Sequence, residues 1–295
     1  MRMGSAWMLL AGACFALMGV FVKLGAAWFS SHEMVFYRSL VGLLLMLAGV
    51  GVHQALQQGW RGGLKFLGPH TGLQIRRGLV GFVALATFFY ALARLPLSMA
   101  MTLNYASPLF LALLMPWQLG ERPSNAQYAT VAAGFGGILL LLRPWQTPAD
   151  DLVAGLVGLF SGVMAAFAYI HVRKLGRLHE PEWRTVFWFA LVCGVAAAGL
   201  ASLDGGWHPL ASSDHLGLIL AFGLFATLGQ LAMTRAYRTG QTVVVASFAY
   251  STVVYASLLD VLIFEVEMPI MAWTGICITV LAGVLAARLN ERSAS

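Results

Sequence analysis

Apolar runs of about 20 residues, each broken by a short polar stretch, follow one another along almost the whole chain. Runs of that length and composition predict membrane-crossing helices, because a bilayer core about 30 Å thick needs roughly 20 residues at 1.5 Å each. The pattern places spans at 4–22, 34–53, 74–93, 95–118, 125–143, 152–172, 184–203, 215–235, 241–264 and 269–288. Arg94-Leu95-Pro96 leaves almost no loop after the third span, and Arg238-Thr239-Gly240 does the same after the eighth. Each of these predicts a tight helical hairpin.

The polar punctuation repeats. Lys23-Leu24-Gly25, His32-Glu33 and Arg38 recur as Lys174-Leu175-Gly176, His179-Glu180 and Arg184. Leu92-Ala93-Arg94 recurs as Ala236-Tyr237-Arg238, and Glu121-Arg122-Pro123 as Glu267-Met268-Pro269. The offset is about 145–150 residues, so residues 1–146 and 147–295 read as two copies of one five-span unit. An odd number of spans per unit forces the second copy to enter the membrane from the opposite side. The expected fold is all-α and integral to the membrane, with ten helices in two inverted five-helix repeats. That architecture belongs to secondary transporters, which bind substrate between the repeats.

Composition narrows the classes. The chain is 59% hydrophobic and 10% charged, against about a quarter charged for soluble domains. No stretch remains for a soluble catalytic domain. The formal net charge of +6 is spread over loops, which argues for positive-inside topology and against nucleic acid as a partner. With these spans, 14 Lys and Arg fall on one side and 4 on the other, namely Lys23, Arg38, Arg94 and Arg143. Both termini are then cytoplasmic, in a bacterial inner membrane. Trp28, Trp145, Trp207 and Trp273 near one interface and Trp7, Trp117 and Trp183 near the other form the expected aromatic belt. Met1-Arg2 before an apolar run resembles a leader, but the run continues past Cys14 to Val22, so it is read as the first span. Cys14, Cys193 and Cys277 lie in separate spans at unrelated spacing, and no two histidines share a helical face. Neither a disulfide framework, a metal site nor a cofactor is expected.

Ala91-Leu92-Ala93-Arg94-Leu95-Pro96-Leu97-Ser98, then Ala106-Ser107-Pro108, Leu119-Gly120-Glu121-Arg122 and the glycines from Gly134 to Gly137 resemble the EamA-type branch of the drug/metabolite transporter superfamily. The second half departs from that pattern, with Thr252 near the equivalent of Pro108 and Val266 where Gly120 precedes Glu121. The resemblance implies ten helices and gradient-driven export or exchange of small metabolites, amino acids and aromatic amino acids among them. The sequence agrees in holding no Gly-x-x-x-x-Gly-Lys-Ser/Thr phosphate loop.

Polar groups inside hydrocarbon need a cavity or a partner. Asn104 and Tyr105 in the fourth span, and Tyr250 and Ser251 in the ninth, are therefore candidate substrate contacts. Pro108 frees a carbonyl near Asn104. Tyr90, Gln230, Phe15, Met18 and Phe167 extend the candidate set as aromatic, amide and thioether surface where the halves meet. Asp260 is the one carboxylate well inside a span. It either carries a coupling proton or a substrate ammonium, or pairs with Arg38 or Arg94, or reaches interfacial water. Arg38 in turn is either a carboxylate clamp or half of a helix-end ion pair. Ala129, Ala133 and Gly137, and Gly275, Thr279, Gly283 and Ala287, recur every fourth residue. Small residues at that spacing let helices approach closely, within the chain or in a homodimer through spans five and ten. Two rivals stay open: an intramembrane enzyme, which lacks a nucleophile or metal set here, and a non-transporting membrane scaffold.

Overall fold

The computed structural model describes residues 3–58, 66–119, 125–142, 149–203, 207–210, 212–239, 245 and 248–294. Among these residues the chain is helical and has no strand. The helices are α1 (Met3–Gly25), α2 (Ser31–Gln58), α3 (Thr71–Arg94), α4 (Leu97–Asn104), α5 (Ser107–Leu119), α6 (Asn125–Leu142), α7 (Ala149–Arg177), α8 (Glu182–Leu203), α9 (Ser213–Thr239), α10 (Ser251–Phe264) and α11 (Ile270–Ala294). Six of them, α1, α2, α3, α7, α8 and α9, are long and apolar enough to cross a bilayer unaided.

Local signals set the helix ends. Ser30 and Glu33 form a reciprocal cap at the start of α2: the Ser30 N–H donates to Glu33 Oε2 at 2.7 Å and the Glu33 N–H to Ser30 Oγ at 3.2 Å. At the end of α7, His179 takes a left-handed conformation (φ 56°), and the Glu180 N–H reaches back to the Leu175 carbonyl at 3.2 Å. This wrap satisfies carbonyls that the helix end would otherwise leave unpaired. Large aliphatic side chains such as Leu44, Leu79, Val195 and Leu262 stay exposed. In a membrane protein that surface is the one lipid covers, because lipid satisfies it as well as a core does.

The pairings come in matched sets. Helix α1 packs on α9, and α7 packs on α3; α2 lies against α9 and α8 against α3; α2 meets α8, and α6 meets α11. The α6–α11 contact uses the small residues. A Cβ on Gly137 would lie 2.5 Å from Thr279 Oγ1 and 2.8 Å from the Gly275 carbonyl oxygen, so only glycine permits this approach. The stripe differs in part from the expected one. Ala129 and Ala133 are exposed, while Gly134, Gly137, Ile138 and Leu141 face inward. These inward faces meet each other within one chain, so a homodimer through α6 and α11 would have to use their outer faces.

The fourth span is not one helix. It stops at Asn104 and restarts at Ser107, with Pro108 in the first turn of α5, where its missing N–H costs nothing. Tyr105 occupies the break (φ −78°, ψ 5°). The ninth span is interrupted at the corresponding place: residues 248 and 249 are helical, Tyr250 is a turn, and α10 starts at Ser251. Each break is covered by a glycine of the first helix of the other half. A Cβ on Gly162 of α7 would sit 2.6 Å from the Leu103 carbonyl oxygen and 3.2 Å from that of Asn104. A Cβ on Gly12 of α1 would sit 2.8 Å from Ser251 Oγ and 2.9 Å from Thr252 Oγ1.

Candidate functional site

A cavity lies where α1, α2, α3, α7, α8 and α9 converge on the break between α4 and α5. It is a partly open cleft with about 630 Å³ of empty space, open solvent at its mouth included. Apolar surface comes from Phe15, Met18, Phe88, Met101, Phe189 and Met233, and polar groups from Arg38, Arg77, Asn104, Tyr105, Tyr169 and Gln230.

Of the residues singled out in the sequence, Phe15, Met18, Arg38, Asn104, Tyr105 and Gln230 are brought together on this wall. The others sit elsewhere. Tyr250 is buried and does not line the cavity, and its hydroxyl is unpartnered. Ser251 packs in the ninth-span break opposite Gly12. Tyr90 carries the Arg94 guanidinium over its ring at 3.7 Å, outside the cavity. Phe167 is half-buried on α7, and its carbonyl meets His171 Nδ1 at 2.8 Å. The Glu121-Arg122 turn lies outside the described residues.

Asp260 has neither expected arginine partner. Its two carboxylate oxygens accept the backbone N–H groups of Leu97 (3.0 Å) and Ser98 (2.6 Å), fully buried at the N-terminus of α4. Lys23 Nζ donates to the Leu95 carbonyl oxygen at 2.7 Å in the same corner. A carboxylate on the first N–H groups of a helix satisfies donors with no intrahelical partner and faces the positive end of the dipole. Asp260 therefore joins α10 to the α3–α4 turn. A sequence alone pairs charges with charges and gives no sign of this backbone partner.

Asn104 is oriented by its neighbour. Its Nδ2 donates to Ser161 Oγ at 2.9 Å, and the Ser161 hydroxyl donates to the Gly158 carbonyl. Because the Ser161 proton is already used, its oxygen must accept, which assigns the amide nitrogen to Ser161 and turns Oδ1 away from it.

The cavity also holds an arginine that the span pattern puts at the cytoplasmic end of the third span, Arg77. Arg77 is 3% exposed, and its guanidinium carbon lies 3.7 Å from the centroid of the Phe189 ring. Arg38, 6% exposed, lies 5.3 Å from the same ring centroid. Gly81 makes room for this arrangement, since a Cβ there would meet the Phe189 ring at 2.8 Å. Among the described residues no carboxylate is within ion-pair distance of either guanidinium. Arg38 Nε and Arg77 Nε and Nη1 are buried without partners, as is Gln230 Nε2. The repeat equivalent of Arg38 behaves differently: Arg184 donates to Glu180 Oε2 at 2.9 Å. Glu33, the equivalent of Glu180, instead accepts from the His208 backbone N–H at 2.6 Å and lies 2.7 Å from its Nδ1. So Arg184 is half of a helix-end ion pair and Arg38 is not. A cation–π contact returns roughly 0.5–2 kcal/mol, whereas burying a cation costs several kcal/mol. One shared phenyl ring leaves both arginines undercompensated.

The sequence profile of the EamA-like transporter family matches the chain twice, at residues 2–143 and 152–288. The chain belongs to the EamA-like transporter family. As an EamA-like protein it is a multi-pass membrane protein that transports small metabolites, and a transporter rather than an enzyme is what the family describes. A curated relative, an uncharacterized transporter of Helicobacter pylori strain J99, is 29% identical over 292 residues, 96% of this chain and 94% of the relative. The pseudopaline exporter CntI of Pseudomonas aeruginosa PAO1 is 31% identical over 249 residues, 83% of this chain and 82% of the exporter. A solved crystal structure superposes with a TM-score of 0.70 at 18% identity, covering 98% of this chain and 97% of its own. At that identity the superposition speaks to the fold.

Proposed function

We propose that this EamA-like protein is a secondary exporter or exchanger in a bacterial inner membrane. It carries amino acids or similar amphipathic metabolites, aromatic ones included, by alternating access around the central cavity. The observation that carries this reading is the position of the cavity. It is lined from both halves of the chain, by α1, α2 and α3 on one side and α7, α8 and α9 on the other. The matched helix pairings, the two breaks at Tyr105 and Tyr250 and the glycines that cover them support two inverted repeats, with the domain boundary near residue 146. Broken helices at a repeat interface expose backbone groups only where they line a site, as transporters require. Rocking one half against the other would open the same side chains to each face of the membrane in turn. The Lys and Arg asymmetry survives the reassignment of Arg77 and supports cytoplasmic termini.

The test is exchange in proteoliposomes of the purified protein, preloaded with unlabelled solute and given labelled amino acids from aromatic to acidic, without ATP. Exchange of one class is the expected outcome. Asn104→Leu removes the oriented Oδ1 and is expected to lower the exchange rate by about fivefold or more while the protein stays folded, since one lost hydrogen bond to a ligand is worth about 1–3 kcal/mol. No exchange of any solute would return the scaffold reading.

A further inference from the structure

The buried polar atoms without partners on the cavity wall are all donors. Arg38 Nε, Arg77 Nε, Arg77 Nη1 and Gln230 Nε2 have no acceptor, and the lining contains neither aspartate nor glutamate. Two guanidinium groups sit on one ring, at 3.7 and 5.3 Å from its centroid. They are buried in a transmembrane cavity, where each charge is expensive and each repels the other. We infer that the solute carried by this cavity bears two anionic oxygen groups, one for each arginine, and is a net anion rather than a zwitterion. The inference rests on the transporter reading above and narrows its substrate class to the anionic members, setting the neutral and aromatic amino acids aside.

Chemistry favours two anions over one. A guanidinium presents five N–H donors in a planar fork that fits carboxylate or phosphate oxygens in pairs. A solute with one carboxylate neutralises one arginine and leaves the other buried beside it. A zwitterion does worse, because its ammonium would enter a site whose fixed charges are both positive. The neutral acceptors, Asn104 Oδ1 and the tyrosine hydroxyls, suit a hydroxyl or an amine on a molecule that is already anionic. Arg184 shows what the chain does with the equivalent residue when the charge is structural: it supplies Glu180 at 2.9 Å. Among the described residues no such partner is supplied to Arg38 or Arg77, so the solute is left to provide it.

Thermal unfolding of the purified full chain in detergent at neutral pH separates the possibilities without requiring transport. Succinate, glutarate, glutamate, inorganic phosphate, leucine and phenylalanine are added in turn. At least one of the three diacids is expected to raise the melting temperature in a saturable way, while leucine and phenylalanine do not. A shift with phosphate as well would assign the site to oxyanions in general, and its absence to carboxylates. Arg77→Gln and Arg38→Gln are each expected to weaken the diacid's apparent affinity at least about thirtyfold. Their unliganded melting temperatures should equal or exceed that of the unaltered protein, because each removes an unpaired buried charge. Three results overturn the inference: no diacid stabilises the protein, the neutral amino acids stabilise it equally, or either variant binds the diacid as tightly as before. If a variant fails to fold, selectivity on the unaltered chain still decides. Failure of the transporter reading looks different: a diacid binds, Arg77→Gln abolishes that binding, and no solute exchanges in proteoliposomes.

Discussion

Asp260→Ala is expected to lower the melting temperature of the purified protein by about 6 °C or more. The substitution leaves the Leu97 and Ser98 N–H groups, now bonded to Asp260 at 3.0 and 2.6 Å, without acceptors in a fully buried position. Losing a helix cap costs about 1–2 kcal/mol at exposed sites, and breaking a buried charged arrangement by removing one partner costs about 3–5 kcal/mol. A chain of this size loses roughly 2 °C per kcal/mol. Asp260→Asn should fall between the two proteins, since it keeps one acceptor oxygen and turns the other into a donor facing an N–H. Scanning calorimetry or dye-monitored unfolding in one detergent provides the comparison. A stable Asp260→Asn protein that still exchanges solute but no longer responds to a pH gradient would assign Asp260 to coupling instead of capping.

Gly162→Ala carries the second large effect, and its direction contradicts local propensity. Alanine in a helix interior is favoured over glycine by about 1 kcal/mol. At position 162, however, the added methyl would lie 2.6 Å from the Leu103 carbonyl oxygen and 3.2 Å from that of Asn104. Those atoms are backbone and cannot swing aside as a side chain can. The clash is expected to exceed the propensity gain, for a net loss of about 1–3 kcal/mol. It should also displace Asn104 from Ser161 and reduce transport. Gly176→Ala, on the same helix α7 with nothing within 4 Å of its Cβ position, serves as the control and should be neutral or slightly stabilising. Equal melting temperatures for the two variants would remove the argument that α7 must pass this close to the break.

Chain order and span count are legible in the sequence because the bilayer imposes them. Any segment that crosses must be apolar for about 20 residues and must satisfy its own backbone, so hydropathy alone locates α1, α2, α3, α7, α8 and α9. The candidate site was half legible for a related reason. Asn104, Tyr105 and Gln230 stand out because polar groups are rare in lipid, whatever they contact. Arg77 does not stand out, because Arg76-Arg77 at the end of the third span reads as one more charge on the side of Arg61 and Lys65. The signal that would have found it is phase: Gln74, Arg77, Gly81, Ala84 and Phe88 follow three-and-four spacing and are all buried on one face of α3.

Hydropathy thus determined by itself the membrane class, the all-helical fold and the short list of intramembrane polar residues, since each depends on composition within one segment. Tertiary structure alone decided that Arg77 and Arg38 share the Phe189 ring, that Asp260 caps a helix more than 160 residues away in the chain, and that the fourth span breaks against Gly162. These depend on the rotation of one helix against another. A few tens of degrees of rotation move a side chain from lipid to cavity without changing a single residue.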